Sequence, residues 1–479
     1  MPAVVAAIVV FVAAAAVLVL EILAARMMAP YVGVSLNTYT GIIGTVLAGI
    51  AAGTWVGGRL ADRFDPQKLL GPILILGGLL AVATTPLVTL LGEHVRGASL
   101  PAIVVLSAGT VFLPAFVLSA VTPIVVKMQL QDLSTTGRVV GRLSAFATAG
   151  ALVGTFGTGF VLAARFPNRT IVACIGAVLI VVGTALWWRL TRRVRLAAAL
   201  AVLAACIGAG AAAAVEGPCK VESAYFCIRI ASGGPGDSLR LLFLDDLAHS
   251  SVDLRDPTYL GFEYTGVIAA AINSEAPPRR AITTLHIGGG AFTMPRYLAA
   301  VRPGSRNTVM ELDQAVVDTA HEDFGLRDQQ GLRIEVGDAR LLVEDEPPHT
   351  YDFIIGDAFG SRSVPWHLTT REFLEQLERV LRPRGTYLMN LIDSRLRFVR
   401  AEAATLKLVF RYVALLRSQT ASNHVLVASN SPFDAAAIAA RVAKRHVDVA
   451  AVSGASLDRL IGDAHVLEDD FAPVDQLLH

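Results

Sequence analysis

Hydrophobic positions run in long unbroken blocks over the first half of the chain and in short, strand-length blocks over the second. Seven stretches of the first half, at roughly 3–25, 38–58, 69–92, 101–126, 143–164, 170–188 and 196–215, are apolar over about 18 residues or more, the length a helix needs to cross the hydrocarbon core of a bilayer. The first lacks a basic leader and continues apolar to Met28 without a cleavage site, so it reads as a span rather than a signal peptide. Small residues recur inside the runs, as in GTVLAGIAAGTWVGG and ATAGALVGTFGTG. They let helices approach closely where lipid supplies no hydrophobic drive. The pattern predicts a packed multi-pass α-helical membrane bundle over residues 1–215.

At Gly217-Pro218 the pattern changes. VESAYFCIRIA at 221–231 and LRLLFLD at 239–245 read as strands around a Gly-rich turn, and a helical segment follows near 257–273. This makes a small β-region over 216–280. Beyond it strands and helices alternate. ITTLHI (282–287) leads into Gly288-Gly289-Gly290 and a helix near 292–301; NTVMEL (307–312), LRIEV (332–336) and YDFIIGD (351–357) follow. A helix near 369–381 precedes TYLMNLI (386–392), and RYVALLR and HVLVAS come late. This rhythm predicts a parallel, doubly wound, Rossmann-like α/β domain over 281–479.

Composition and charge sharpen the division. Of 479 residues, 54% are hydrophobic and only 17% charged, against about a quarter charged in ordinary soluble proteins. An ordinary cytosolic enzyme and a disordered chain are both excluded. Residues 1–215 hold 14 Lys and Arg against 5 Asp and Glu, and the remainder holds 27 against 35. The basic residues of the first half sit at the ends of apolar runs, so a nucleic-acid partner is not expected. The connections after runs two, four and six carry Arg59/Arg63/Lys68, Lys127/Arg138/Arg142 and Arg189/Arg192/Arg193/Arg195; the others carry Arg26, Arg96 and Arg165/Arg169. Cytoplasmic loops hold the excess of positive charge, which puts the N-terminus inside and, after seven spans, residue 217 onward outside. Glu21 lies within the first run with Arg26 five residues on; the pair reads as a helix-end pair or as part of a transport path.

The candidate chemistry lies at strand ends, where open α/β sheets bind ligands. Gly288, Gly289 and Gly290 allow a backbone turn to approach a ligand, with a helix N-terminus behind it. Glu311 stands 23 residues after Gly288, near the spacing at which an acid meets a ribose diol. Asp338 and Asp357 end the next two strands. A glycine loop followed by three acids at successive strand ends is a far more specific signal than a triple glycine alone.

Together, LHIGGGAFTMPRYLAAV, NTVMELDQAVVDTA, IEVGDARLLV, YDFIIGDAF and LTTREFLEQLERVLRPRGTYLMNL resemble the spermidine synthase (polyamine aminopropyltransferase) family. The terminal LEDDFAPVDQLL is similar to the tail of bacterial versions fused to a membrane segment. Within the first half, GGRLADRFDP and Arg138-Val-Val-Gly-Arg142 resemble elements of major-facilitator transporters, although seven spans fall short of the twelve of a complete one.

The resemblance implies a methyltransferase-type Rossmann fold, a decarboxylated S-adenosylmethionine co-substrate, no metal, and aminopropyl transfer to a small-molecule amine. It also implies roles. Gly288–Gly290 face the sulfur end of the nucleoside, Glu311 the ribose, and Asp338, with Ala339 beside it, the adenine. Asp357 orients and deprotonates the attacking amine, as a positioned carboxylate can. Tyr225 matches the tyrosine of the family's first strand, and His249 occupies the place of the glutamine in its hairpin. Departures fall on the groups that bind cationic or polar parts of the ligands. The acid after the glycines, which in the family holds the aminopropyl amine, is Ala291, the second acid of the D-x-x-D motif, a polyamine ligand, is Gly360, and the glutamine after the first-strand tyrosine is Phe226. The nucleoside site is thus expected intact and the polyamine site depleted. Methyl transfer from S-adenosylmethionine, or a non-catalytic nucleoside- or polyamine-binding transport or sensor role, are the alternatives. The lipid bilayer is the other expected partner, and a homodimer stays open.

Cys174 and Cys206 fall in apolar runs and read as packing residues. Cys219 and Cys227 bridge if the segment lies in an oxidising compartment, but a straight strand over 219–227 would hold them too far apart. Compartment poses a conflict of its own, because an S-adenosyl donor is made inside the cell.

Overall fold

The structure is a computed structural model of the chain and describes residues 1–95, 99–130, 132–191, 217–328, 330–360, 363–444 and 447–478. Two compact units divide it, Met1–Cys227 and Ile228–His479.

Among the described residues of the first unit six helices are long and apolar enough to cross a membrane: α1 (Ala3–Val32), α2 (Leu36–Arg63), α3 (Pro66–His94), α4 (Leu100–Gln129), α5 (Leu133–Leu162) and α6 (Asn168–Thr191). The expected seventh run, 196–215, and Cys206 within it, lie outside the described residues. Helices α2, α3 and α5 begin before their apolar runs because polar side chains start them. Ser35 Oγ accepts from the Thr38 amide at 3.3 Å, Asp65 from the Gln67 amide at 3.0 Å, and Asp132 from the Ser134 amide at 3.0 Å. Helix α1, apolar over most of its circumference apart from Glu21 and Arg26, touches each of the other five. Cys174, expected to pack inside, is exposed on α6.

Glycines set the helix contacts. A Cβ on Gly53 of α2 would come 2.0 Å from the Phe116 carbonyl oxygen of α4, and one on Gly150 of α5 would come 2.2 Å from the Phe11 carbonyl oxygen of α1. Gly44 of α2 has nothing within 4 Å. Gly53→Val is therefore expected to destabilise the bundle by about 2 kcal/mol or more, since the added atoms meet backbone that cannot rotate away. Gly44→Val should leave it unchanged. Thermal unfolding of both variants in detergent checks this.

The ends of the bundle differ. At one, Gln129 donates to the Met1 carbonyl at 2.9 Å and Lys127 pairs with Asp62 at 2.7 Å. At the other, Arg26 donates to the carbonyls of Ala163 and Ser223, and the Asn168 amide donates to Glu222 at 2.7 Å. The strand expected over 221–231 is broken there. A two-residue strand β1 (Val221–Glu222) and β2 (Cys227–Gly233) flank a turn in which Ser223 N donates to the Phe226 carbonyl at 2.9 Å. Ser223 Oγ accepts from the Tyr225 and Phe226 amides at 3.1 and 2.8 Å, the local bonding by which serine competes with a ladder. The turn brings Cys219 and Cys227 together as a disulfide, Cα–Cα 5.2 Å. The straight-strand expectation fails because one side chain satisfied the backbone locally.

The second unit begins with an antiparallel meander of β2, β3 (Leu239–Leu244) and β4 (Leu247–Asp253), in which Asp245 takes the left-handed conformation of a tight turn, φ 56°. Helix α7 (Glu263–Glu275) follows, a few residues later than its pattern suggested. An eight-stranded sheet comes next: β5 (Thr283–Ile287), β6 (Arg306–Glu311), β7 (Leu332–Val336), β8 (Tyr351–Gly356), β9 (Leu381–Ile392), β10 (Tyr412–Ser418), β11 (Asn423–Ser429) and β12 (Val449–Ser453). Its order is β12-β10-β11-β9-β8-β5-β6-β7.

Strands β5 to β9 are parallel, as expected; β5, β6, β8 and the second half of β9 are buried along most of their length, while β7, at the sheet edge, is not. The wholly parallel expectation fails beyond them, where β11 is antiparallel to both neighbours and β12 to β10. Only residues 419–422 separate β10 from β11, too few for the crossover a parallel pair requires, so the two form a hairpin. The result is a Rossmann-like sheet with two reversed strands, β11 slotted between β9 and β10 and β12 at the edge. The chain winds outward from β5 through β6 and β7, then returns to β8 on the other side of β5. The switch point, where such sheets open a ligand crevice, lies between β5 and β8.

Candidate active site

Two chain segments leave the sheet at that switch point. After Ile287 comes the glycine loop, and after Gly356 comes Asp357. The ladder carries on past both strands: Asp357 N donates to the Ile287 carbonyl and Gly288 N to the Met310 carbonyl, each at 2.9 Å. Gly288 sits at φ 91° and Gly290 at φ 50°, in left-handed territory. A Cβ on Gly288 would lie 2.6 Å from the Asp357 carbonyl oxygen, and one on Gly290 would lie 2.4 Å from Ser250 Oγ. Only glycine lets the loop pass so close to both neighbours.

Glu311 ends β6 and reaches back under this loop. Its carboxylate accepts from the amides of Gly289 at 2.7 Å, Gly290 at 3.4 Å and Asp313 at 3.1 Å. Burial pushes its pKa up, and those amides oppose the rise. Asp338 follows β7 and caps the short helix α8 (Ala339–Leu342) by accepting from the Arg340 amide at 2.9 Å; His367 Nε2 lies 3.3 Å from its other oxygen. Ala339 is buried behind it.

Asp357 is held from both sides. Tyr264 Oη donates to one carboxylate oxygen at 2.8 Å and Asn390 Nδ2 to the other at 2.8 Å. Burial raises its pKa to about 7, against the pull of those two donors. The same burial, with the adjacent carboxylate, holds the Tyr264 phenol well above its usual range, so it stays a donor. The residues on either side of Asp357, Gly356 and Ala358, line a small cleft with Ile287, Tyr387 and Asn390. A buried carboxylate that titrates near neutrality, beside a glycine cradle, is equipped to take a proton from a bound group at physiological pH.

His249, on β4, bonds the Leu247 carbonyl through Nδ1 at 3.0 Å and packs edge-on to Phe359. It connects to Asp357 through Tyr264, whose hydroxyl lies 3.5 Å from the His249 carbonyl. Tyr225 is 52% exposed in the disulfide-closed turn and belongs to the first unit. The second unit thus gathers the glycine loop, Glu311, Asp357 and His249, with Asp338 at the next strand end. Among the described residues no three His, Cys, Asp or Glu side chains are grouped to hold a metal.

Sequence reasoning missed Tyr264 and Asn390. Nothing local marks Tyr264, which reaches Asp357 across 93 positions. Asn390 did leave a trace, a lone amide inside the apolar run YLMNLI, where an unpaired polar group is costly. Of the two positions where acids were expected, Ala291 is fully buried, whereas a Cβ on Gly360 would meet nothing closer than 3.7 Å.

No family model matches the chain. It is 31% identical over 151 residues to the polyamine aminopropyltransferase of Vibrio vulnificus, covering 31% of this chain and 49% of that protein. It is 25% identical over 186 residues to the eEF1A lysine and N-terminal methyltransferase of Bos taurus, covering 36% of this chain and 26% of that one. The crystal structure of a probable spermidine synthase from Corynebacterium glutamicum matches at 29% identity and TM-score 0.48, covering 52% of this chain and 95% of that one. The chain spans about half the length of the first relative and about a quarter of the second, and its relatives are aminopropyltransferase-like and methyltransferase-like proteins at modest identity.

Proposed function

We propose that the second unit transfers an alkyl group from an S-adenosyl-type sulfonium donor to an amine. The observation that carries this reading is the Asp357 carboxylate at the switch point, held by Tyr264 and Asn390 with its pKa raised by burial to about 7, beside a loop only glycine can form. The donor supplies an electrophilic carbon on a positively charged sulfur. Gly288–Gly290 give it close backbone approach, and the lone pairs of Glu311 left over from the loop amides can accept from a ribose diol. Asp338, with Ala339, stands one strand further on for the base. Asp357 takes the proton of the acceptor ammonium, freeing the lone pair that forms the new N–C bond as the C–S bond breaks.

Aminopropyl transfer is the first form of this reading, supported by the likeness to the Vibrio vulnificus enzyme. Methyl transfer is the second, favoured by Ala291, which is fully buried and offers no carboxylate to an aminopropyl ammonium. Incubating the full-length protein with each labelled donor and a panel of amines tests both. Product from the decarboxylated donor supports the first, product from S-adenosylmethionine the second. Binding of S-adenosyl ligands without product from either would sink both. Putrescine is expected to be a poor acceptor in every case, since Ala291 and Gly360 stand where two cation-binding acids would be.

The six apolar helices support a membrane location for the first unit, and the charge bias supports a side. We propose that the second unit is extracytoplasmic. Ser223 and Glu222 bond the end of the bundle that carries Ala163 and Asn168, away from the end with Met1, Asp62 and Lys127. The Cys219–Cys227 disulfide fits an oxidising compartment there. Alkaline phosphatase fused after His479 should therefore be active in cells. An inactive phosphatase together with a fluorescent cytoplasmic reporter at the same site would reverse the assignment.

A further inference from the structure

Behind the two donors that touch Asp357 lies a third residue, hydrogen-bonded to one of them. Asn423 opens β11 and Asn390 lies within β9, two antiparallel strands in which Asn423 pairs with Ile392 and Val425 with Asn390. That register sets the two asparagines diagonally on one face of the sheet. Asn423 Nδ2 donates to Asn390 Oδ1 at 3.0 Å, and Asn390 Nδ2 donates to Asp357 Oδ1 at 2.8 Å.

An amide has one accepting and one donating end. Turned over, Asn390 would set its oxygen against the Asp357 carboxylate and its NH₂ against that of Asn423, and both bonds would be lost. Asn390 is only 2% exposed, so water cannot replace them. We propose that Asn423 is a positioning residue for Asp357: it locks the Asn390 amide with its NH₂ toward the carboxylate and so completes a clamp with one donor on each oxygen.

The opposite jaw is Tyr264 from α7, backed by the His249 carbonyl of β4. Burial and these two donors govern the titration of Asp357, and no charged side chain enters among the described residues. The clamp keeps the carboxylate in one plane and favours its charged form against burial. The inference rests on Asp357 as the base of the proposed transfer, yet its test does not need turnover.

The test is a titration of the Asp357 carboxyl in the full-length protein, followed by its infrared carbonyl band and assigned by loss of the band in D357N. In the parent protein the midpoint should fall near pH 7. In Asn423→Ala the Asn390 amide is no longer locked, and the midpoint should rise by about half a unit. In Asn423→Asp the new carboxylate draws the Asn390 NH₂ away from Asp357, and the rise should reach about one unit or more. Asn423→Gln, which still carries a donor, should restore the parent value more closely than alanine. Where transfer is measurable, the acid limb of kcat should move with the band while the KM for the donor stays constant. An unchanged midpoint in both the alanine and aspartate variants, with native circular dichroism, overturns the proposal. A shifted midpoint in a protein that transfers nothing would uphold the clamp and sink only the transferase reading.

Discussion

Asparagine at position 357 is expected to cut the transfer rate by about 10³-fold, the scale of losing a positioned base, while donor affinity changes less than twofold. Asparagine can keep the local bonds. Its oxygen can accept from Asn390, and its amide can donate to Tyr264 Oη, whose own proton turns to the His249 carbonyl. What it cannot do is take a proton. In the parent protein kcat should fall below about pH 7, as the carboxylate protonates. The same substitution should stabilise the fold at alkaline pH. The folded-state pKa of Asp357 is raised to about 7 from 3.8, so its contribution to stability is fully present below the unfolded value and is lost as pH rises through about 7. That difference corresponds to roughly 4 kcal/mol at pH 8. Unfolding of D357N and parent should therefore nearly coincide at pH 4, and the variant should melt higher at pH 8. A variant that retains activity, or gains no stability at pH 8, would remove Asp357 from the role given to it.

The second large effect is expected at Glu311. Alanine there leaves the amides of Gly289, Gly290 and Asp313 without their acceptor, inside a region where Glu311 itself is only 7% exposed. Each unsatisfied buried donor costs about 1–3 kcal/mol, and the cost falls on the loop that would cradle the donor. Affinity for S-adenosylhomocysteine should drop at least tenfold, about 1.4 kcal/mol, together with thermal stability. Glutamine should fall between, since its oxygen can still accept while its NH₂ faces an N–H it cannot serve. Titration calorimetry with melting curves separates the cases. Intact affinity alongside lost stability would leave Glu311 a loop support with no part in binding.

Much of this was legible along the chain, because the signals were local. The six apolar runs among the described residues became helices, and their length with little internal charge (Glu21 alone) was sufficient. Strands β5, β6, β8 and β9 could be read from apolar runs and β7 from the shorter LRIEV, and the glycines and acids at their ends were visible as breaks in the pattern. The parallel order of these five strands followed from the helices between them.

The tertiary structure alone decided the rest, because it depended on particular hydrogen bonds and closures that the pattern of apolar and polar positions does not record. The reversal of β11 came from a four-residue connection closing against β9. The disulfide came from one serine hydroxyl that turned the chain between two cysteines. Asp357 could be named as a strand-end acid, but its proton affinity could not. That is set by burial and by Tyr264 and Asn390, 93 and 33 residues away. Sequence pattern determines which residues face the switch point. The dielectric around them, and the donors that oppose it, exist only once the sheet has closed.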